Sequence, residues 1–295
     1  MISKTLIPSL LTLTMISCIS KTNLVQEAIV FNPVIGHEVR SAELSVPFPE
    51  DKTFGVWAMD DKKSSEFISN AEIAFNGGLW SSAALPLWPT SSTLTFYAYS
   101  PYDLPVGFSD GVMTLKGFDV RTDGDQLLYA KTAAGLTAAQ GEVKLPFTHA
   151  LSRLDMRIAS GYGSDVDVRI DRIVLRKVAQ VGDFNSSLAY CWRADTDSAD
   201  DIVIFDSERD GHFLAGPDMK FIGDALTIIP QCMGSSIELN YAFRVDEGDW
   251  IDGQSESTKV LETYWEPGRY YTYTLTINEH KLSYTTGIGH WNERK

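Results

Sequence analysis

Cysteine, positive charge and catalytic signatures are all scarce in this sequence. Its 295 residues include three cysteines, Cys18, Cys191 and Cys232. They form no Cys-x-x-Cys pair and no cysteine–histidine cluster at zinc spacing, so no structural metal is expected. Lysine and arginine number 25 against 39 aspartates and glutamates, a net charge of −14. With no basic patch to offset it, that field repels phosphate backbones and argues against nucleic acid as a partner. Five histidines, His37, His149, His212, His280 and His290, are scattered along the chain, and no G-x-S-x-G elbow, H-E-x-x-H pair or phosphate loop accompanies them. Gly161-Tyr162-Gly163 opens like a dinucleotide loop, but no third glycine follows and its surroundings read as strand, so a hairpin is expected. No catalytic residue and no cofactor is expected.

Helical periodicity is also missing: no window of a dozen residues carries a helical apolar stripe, whereas two-residue alternation recurs from residue 53 to the end. Leu94, Phe96 and Ala98 alternate with Thr95, Tyr97 and Tyr99, and Leu154, Met156 and Ile158 with Arg153, Asp155 and Arg157. Val166, Val168 and Ile170 form a further inward set, after which Ile173 and Leu175 resume out of phase, predicting a bulge. Ile237 to Phe243 and Tyr271 to Ile277 complete the half-buried strands. Turn clusters such as Asn76-Gly77-Gly78, Asp110-Gly111 and Asp246-Glu247-Gly248 separate them. The fold class is therefore all-β. A length of 295 residues, 44% hydrophobic and 22% charged, suits two globular domains at roughly 100 to 200 residues each. The boundary is expected near residue 145, after the weakly patterned Thr132 to Gly141, giving β-sandwiches over 41–145 and 146–295.

The first 17 residues read as an export signal, with Lys4 as the positive start and an apolar run from Leu6 to Ile16 too short to span a bilayer of about 30 Å. Met15-Ile16-Ser17-Cys18 resembles a bacterial lipobox, in which the cysteine becomes the lipid-bearing first residue. Membrane attachment is thus expected through a lipid on Cys18. Cys191 and Cys232 remain, either as a disulfide in an oxidising compartment or as two free thiols.

Two ligand sites are conceivable. Trp80, Trp88, Tyr97, Tyr99 and Tyr102 cluster in sequence and could make a sugar-stacking platform. The acidic stretch 195–210, with Asp195, Asp197, Asp200 and Asp201, could supply oxygens to calcium, although it lacks the glycine and terminal glutamate of an EF-hand loop. Together these motivate an alternative: a lipid-anchored carbohydrate-binding or glycan-processing module. His149, just before an apolar strand, is expected to be a satisfied structural histidine.

A series of segments in fixed order resembles the fimbrillin family of Bacteroides-type bacteria, the Mfa-like or type V pilin proteins. It runs from the lipobox at Cys18 through Ile29-Val30-Phe31-Asn32-Pro33 and Val39-Arg40-Ser41-Ala42 to Phe54-Gly55-Val56-Trp57-Ala58. Leu87-Trp88-Pro89, Leu94 to Pro101, Asp125 to Ala130, Leu145 to Leu154 and Val181-Gly182-Asp183-Phe184 follow. Ile229-Pro230-Gln231, Trp265 to Tyr273 and Gly289-His290-Trp291 close it. The resemblance implies two tandem transthyretin-like antiparallel β-sandwiches, an outer-membrane lipoprotein at the cell surface, and polymerisation with other fimbrial subunits. It further implies that an arginine-specific or trypsin-like protease removes a leading segment, residues 18–40, by cutting between Arg40 and Ser41, and that a neighbour's C-terminal strand fills the vacated groove. Ile29 and Phe31 share one face of that segment and Ala28 and Val30 the other, so a single register buries two large side chains.

Overall fold

The computed structural model describes residues 27–36, 38–39, 42–43, 45–124, 126–232, 234–260, 264–279 and 281–291. As the alternation predicts, strands dominate these residues; the one α-helix among them is the single turn Ser207–Asp210. Among the described residues no helix is long and apolar enough to cross a membrane.

The first body is a sheet that closes on itself. Its strands run in the order Val143–His149, Leu128–Lys131, Leu94–Ser100, Phe54–Asp60, Ser65–Asn76, Leu79–Ser81 and Phe31–Ile35, and the last of these pairs back onto the first. Phe31–Ile35, hereafter the leading strand, therefore closes the ring. Inside lies a core that includes Ile29, Phe31, Phe54, Phe96, Trp80, Trp88, Leu145 and Phe147. The second body is a sandwich of two sheets. One is centred on Ser152–Ser160 and Arg269–Asn278, with Lys281–His290, the last strand, at its edge; the other is centred on Val166–Ala179 and Ser236–Val245. The bulge read from Ile170 to Ile173 is present as a register shift between Ile170 and Arg172 against the strand Ser236–Val245. Most pairings are antiparallel, but the leading strand meets Val143–His149 in parallel, and Ser152–Ser160 meets Arg269–Asn278 in parallel. Both pairs join segments distant in sequence, as parallel connections require.

The chain passes from barrel to sandwich through Ala150 and Leu151, directly after the strand Val143–His149 that contains residue 145; both connecting residues are fully buried. A third, four-stranded sheet straddles this passage. It pairs Gly107–Ser109 and Val112–Asp119 with Val181–Asn185 and Trp192–Ala194, so strands from either side of residue 145 share one ladder. This sheet covers the outer face of the barrel and encloses Trp57, Tyr97, Tyr99, Leu115, Phe118, Phe184, Trp192 and Trp291. Consequently Phe54–Asp60 and Leu94–Ser100 are buried on both faces. Thr95, Tyr97 and Tyr99, expected to face outward, lie inside because a second layer packs on them.

His149 and Trp291 meet at the junction. Their rings stack with centroids 3.8 Å apart and planes 7° apart, and the Arg153 guanidinium lies 5.7 Å from the centroid of the same indole, a cation–π arrangement. His149 is 3% exposed, but neither ring nitrogen has a hydrogen-bond partner, so its support comes from stacking and not from the polar partner expected of a satisfied histidine. Burial, and then the nearby Arg153 charge, lowers its pKa from 6.5 to about 4. Between those values the unfolded chain binds more protons than the folded one, so stability rises with pH across the window. Melting temperature is expected to fall as pH drops from about 6.5 to 4, with up to about 3 kcal/mol at stake. His149→Phe, which keeps a flat ring without a titrating nitrogen, should flatten that slope in thermal melts recorded at several pH values.

Candidate functional site

The leading strand occupies a slot whose two walls come from remote parts of the chain. On one side, Phe31 to Ile35 pair in register with Val143 to Phe147, and the ladder extends at both ends: Val143 N–H donates to the Val30 carbonyl at 2.8 Å, and Gly36 N–H to the Phe147 carbonyl at 2.9 Å. On the other side Phe31 pairs with Trp80, and Val34 and Ile35 with Pro47 and Val46. Upstream, Trp88 N–H donates to the Glu27 carbonyl at 2.9 Å.

Two-residue periodicity sends Ile29, Phe31, Pro33 and Ile35 inward and leaves Ala28 and Asn32 exposed, which matches the face read from the sequence. Ile29, Phe31 and Ile35 are each 2% exposed. The Phe31 ring makes edge-to-face contacts with Phe54 and Phe96, at centroid distances of 6.1 and 5.6 Å, and Phe48, which follows Val46–Pro47, packs on Phe54, Trp80 and Phe147. Three large side chains at about 1.5 to 3 kcal/mol each amount to roughly 5 to 9 kcal/mol of burial. That is comparable to the whole stability of a typical domain, about 5 to 15 kcal/mol. Past Ile35 the slot opens into a cavity of about 250 Å³ lined in part by Ile35, Phe48, Pro101, Asp123 and Leu128.

After the leading strand, Glu38–Val39 pairs antiparallel with Ala42–Glu43, placing Val39 opposite Ala42, and the chain then returns through Val46–Pro47 alongside the leading strand. Arg40 and Ser41, the expected cleavage residues, lie outside the described residues, as do Cys18 and the export signal 1–17.

The other sequence-derived candidates resolve as structure. Cys191 and Cys232 are free thiols, so the bridge their number allowed is not made. Cys191 is buried in the shared core, where the Tyr129 hydroxyl lies 3.2 Å from its Sγ and burial pushes its pKa up, while Cys232 is exposed. The aromatic platform is not formed: Trp80 and Trp88 point into the barrel core and Tyr97 and Tyr99 into the shared core, leaving only Tyr102 partly accessible. In the acidic stretch most carboxylates serve locally. Asp195 and Asp206 cap the single turns that follow them, Asp201 pairs with Arg176, and Asp210 pairs with Arg209 and accepts from Asp206 N–H. They therefore do not converge on one point as calcium ligands would. Two features escaped the sequence reading: the parallel partner of the leading strand, foreshadowed only by the inward alternation of Val143, Leu145 and Phe147, and the pairing of Trp291 with His149.

At the opposite end of the chain, the last strand pairs along its whole length with Arg269–Asn278, and no described strand pairs with its other edge. Within it Leu282 is buried, yet Ile288 is 60% exposed.

Known structures share this architecture. A fimbrial protein from Bacteroides vulgatus superposes with a TM-score of 0.61 at 15% identity, covering 89% of this chain and 99% of its own. Proteins from Bacteroides ovatus and Bacteroides uniformis, both described as candidate cell adhesion proteins, superpose with TM-scores of 0.57 and 0.56 at 17% identity, covering 92% and 89% of this chain and 99% and 97% of theirs. At these identities the likeness shows the fold. No curated relative matches the chain in sequence. The sequence profile of the fimbrillin-like family matches residues 42–291, and the chain belongs to that family.

Proposed function

We propose that this protein is a structural subunit of a cell-surface fimbria, exported as a lipoprotein through Cys18 and polymerised by strand exchange. The observation that carries this reading is that one short strand, Phe31–Ile35, closes the barrel. Its covalent link to the rest of the fold runs through the Val39/Ala42 pair that flanks Arg40 and Ser41 in sequence. Cutting after Arg40 turns the leading strand from a tethered part of the fold into a bound peptide that can depart. Departure leaves unpaired N–H and C=O groups on Val143–His149 and Leu79–Ser81 and bares an apolar slot, the condition in which an edge recruits a strand from another chain. The occupant is the last strand of a neighbouring copy, which leaves its pairing with Arg269–Asn278 on entering, because the slot engages both edges of its occupant. Membership of the fimbrillin-like family supports the surface role; the burial of Trp80, Trp88, Tyr97 and Tyr99 removes the ground for the glycan-binding alternative.

Purified protein beginning at Cys18 and treated with a trypsin-like protease is expected to form a ladder of detergent-resistant oligomers on gels, and Arg40→Ala should abolish it. Persistent monomers despite clean cutting at Arg40 would overturn the exchange mechanism. In the uncut chain Phe31→Ala should cost about 3 to 5 kcal/mol in denaturant unfolding, because it removes a ring packed between Phe54 and Phe96. Cys18→Ala, expressed in a bacterium that processes lipoproteins, should move the protein from the membrane fraction to the soluble fraction and eliminate incorporation of labelled fatty acid.

A further inference from the structure

The last strand repeats the leading strand. Aligned without gaps, Ile29-Val30-Phe31-Asn32-Pro33-Val34-Ile35-Gly36-His37 and Leu282-Ser283-Tyr284-Thr285-Thr286-Gly287-Ile288-Gly289-His290 both run aliphatic, aromatic, small, isoleucine at alternate positions, and both end in Ile-Gly-His. We propose that the last strand of a second copy enters the slot in this one register, residue 282 at site 29 through residue 289 at site 36, and in the same direction as the strand it replaces. This rests on the strand-exchange reading above and specifies its partner and alignment.

Two observations support that register, and two more support this strand as the occupant. The buried sites of the slot are those of Ile29, Phe31, Pro33 and Ile35, and the register fills them with Leu282, Tyr284, Thr286 and Ile288. In the reverse direction Ile288 would fall at site 29 and Thr286 at the site of Phe31, leaving the aromatic cage of Phe54 and Phe96 unfilled. Ile288, exposed in its own sandwich, would gain the site of Ile35, whereas Tyr284 would bring one hydroxyl that the Phe31 site does not use.

The second observation concerns the backbone. Phe48 N–H donates to the Pro33 carbonyl at 3.4 Å, but Pro33 has no N–H to return, so this antiparallel pair makes one of its two bonds. Thr286 at that site would supply the second donor. The leading strand is thus a weaker occupant at this position than its replacement.

The third is a glycine with no local purpose. Gly36 has φ +126°, a conformation that side-chain-bearing residues rarely adopt, and it donates to the Phe147 carbonyl. Gly289 has no left-handed φ in its own strand, and no atom lies within 4 Å of where a Cβ would stand. Nothing in the isolated chain requires glycine at 289, whereas the present occupant of site 36 adopts a left-handed φ.

Charge points the same way. From Lys281 onward the chain carries Lys281, Arg294 and Lys295 against Glu293, a balance of +2 that leaves −16 on the remainder of a −14 chain. A basic end is attracted to the acidic body of another copy.

The glycine supplies the test. Protein from Cys18 onward, cut at Arg40, is compared as wild type, Gly289→Ala and Gly287→Val, reading the melting temperature of the uncut monomer and the yield of detergent-resistant oligomers after cutting. Gly289→Ala should melt like wild type yet lose polymer yield by about ten-fold, because a Cβ at site 36 is strained. Gly287→Val, which places at site 34 the valine already found there, should polymerise at least as well as wild type. Wild type that stays monomeric after clean cutting overturns strand exchange and this register with it. Wild type and Gly289→Ala polymerising equally would overturn the register alone, as would a stable Gly287→Val monomer that fails to polymerise.

Discussion

Ring closure by the leading strand is the constraint on which the first body depends. Every other strand of that barrel is joined to a neighbour close in sequence or held by a long ladder, but Val143–His149 and Leu79–Ser81 face each other only through Phe31–Ile35. Sheets tolerate open edges poorly because each exposes a row of unsatisfied backbone groups, and here the opening would also bare a core of phenylalanines packed edge to face. The same segment is short and joined to the rest through a narrow pair of residues, so the barrel concentrates much of its stability in its most separable part.

The second organising feature is the shared core. A sheet built from both halves of the chain covers the barrel, which converts the outward aromatics of Phe54–Asp60 and Leu94–Ser100 into interior ones. Trp192 Nε1–H donates to the Ala150 carbonyl at 2.6 Å, anchoring the covering sheet on the passage between the bodies. Trp291 closes that passage from the far end of the chain, its N–H bonded to the Gly268 carbonyl at 2.9 Å.

Much of this was legible in the sequence because alternation is a local property. The strands around Leu94, Leu154, Val166, Ile237 and Tyr271, the bulge near Arg172 and the buried face of Ile29 and Phe31 all follow from which residues are apolar at a spacing of two. What was not legible depends on partners remote in sequence. Periodicity assigns a strand one inward face and cannot reveal that a second sheet will cover the other, so Tyr97 and Tyr99 read as a surface platform when they are core. Nor can it show that Phe31 runs parallel to Val143, or that His149 is capped by an indole 142 positions later, a separation set by tertiary packing alone. Charged residues misled in the opposite sense: the run from Asp195 to Asp210 looks like a ligand cluster in one dimension, but turns and neighbouring arginines use its carboxylates one at a time.

The interlocked ladder of Gly107–Ser109, Val112–Asp119, Val181–Asn185 and Trp192–Ala194 limits how the molecule can be dissected. A fragment ending near residue 150 would keep the barrel but forfeit half of its cladding, presenting Trp57, Tyr97 and Tyr99 to water. The complementary fragment would carry two orphaned strands with nothing to clad. Each half is the other's roof, so expression of either in isolation should yield aggregates, and mapping of interactions in this protein calls for point substitutions within the intact polypeptide.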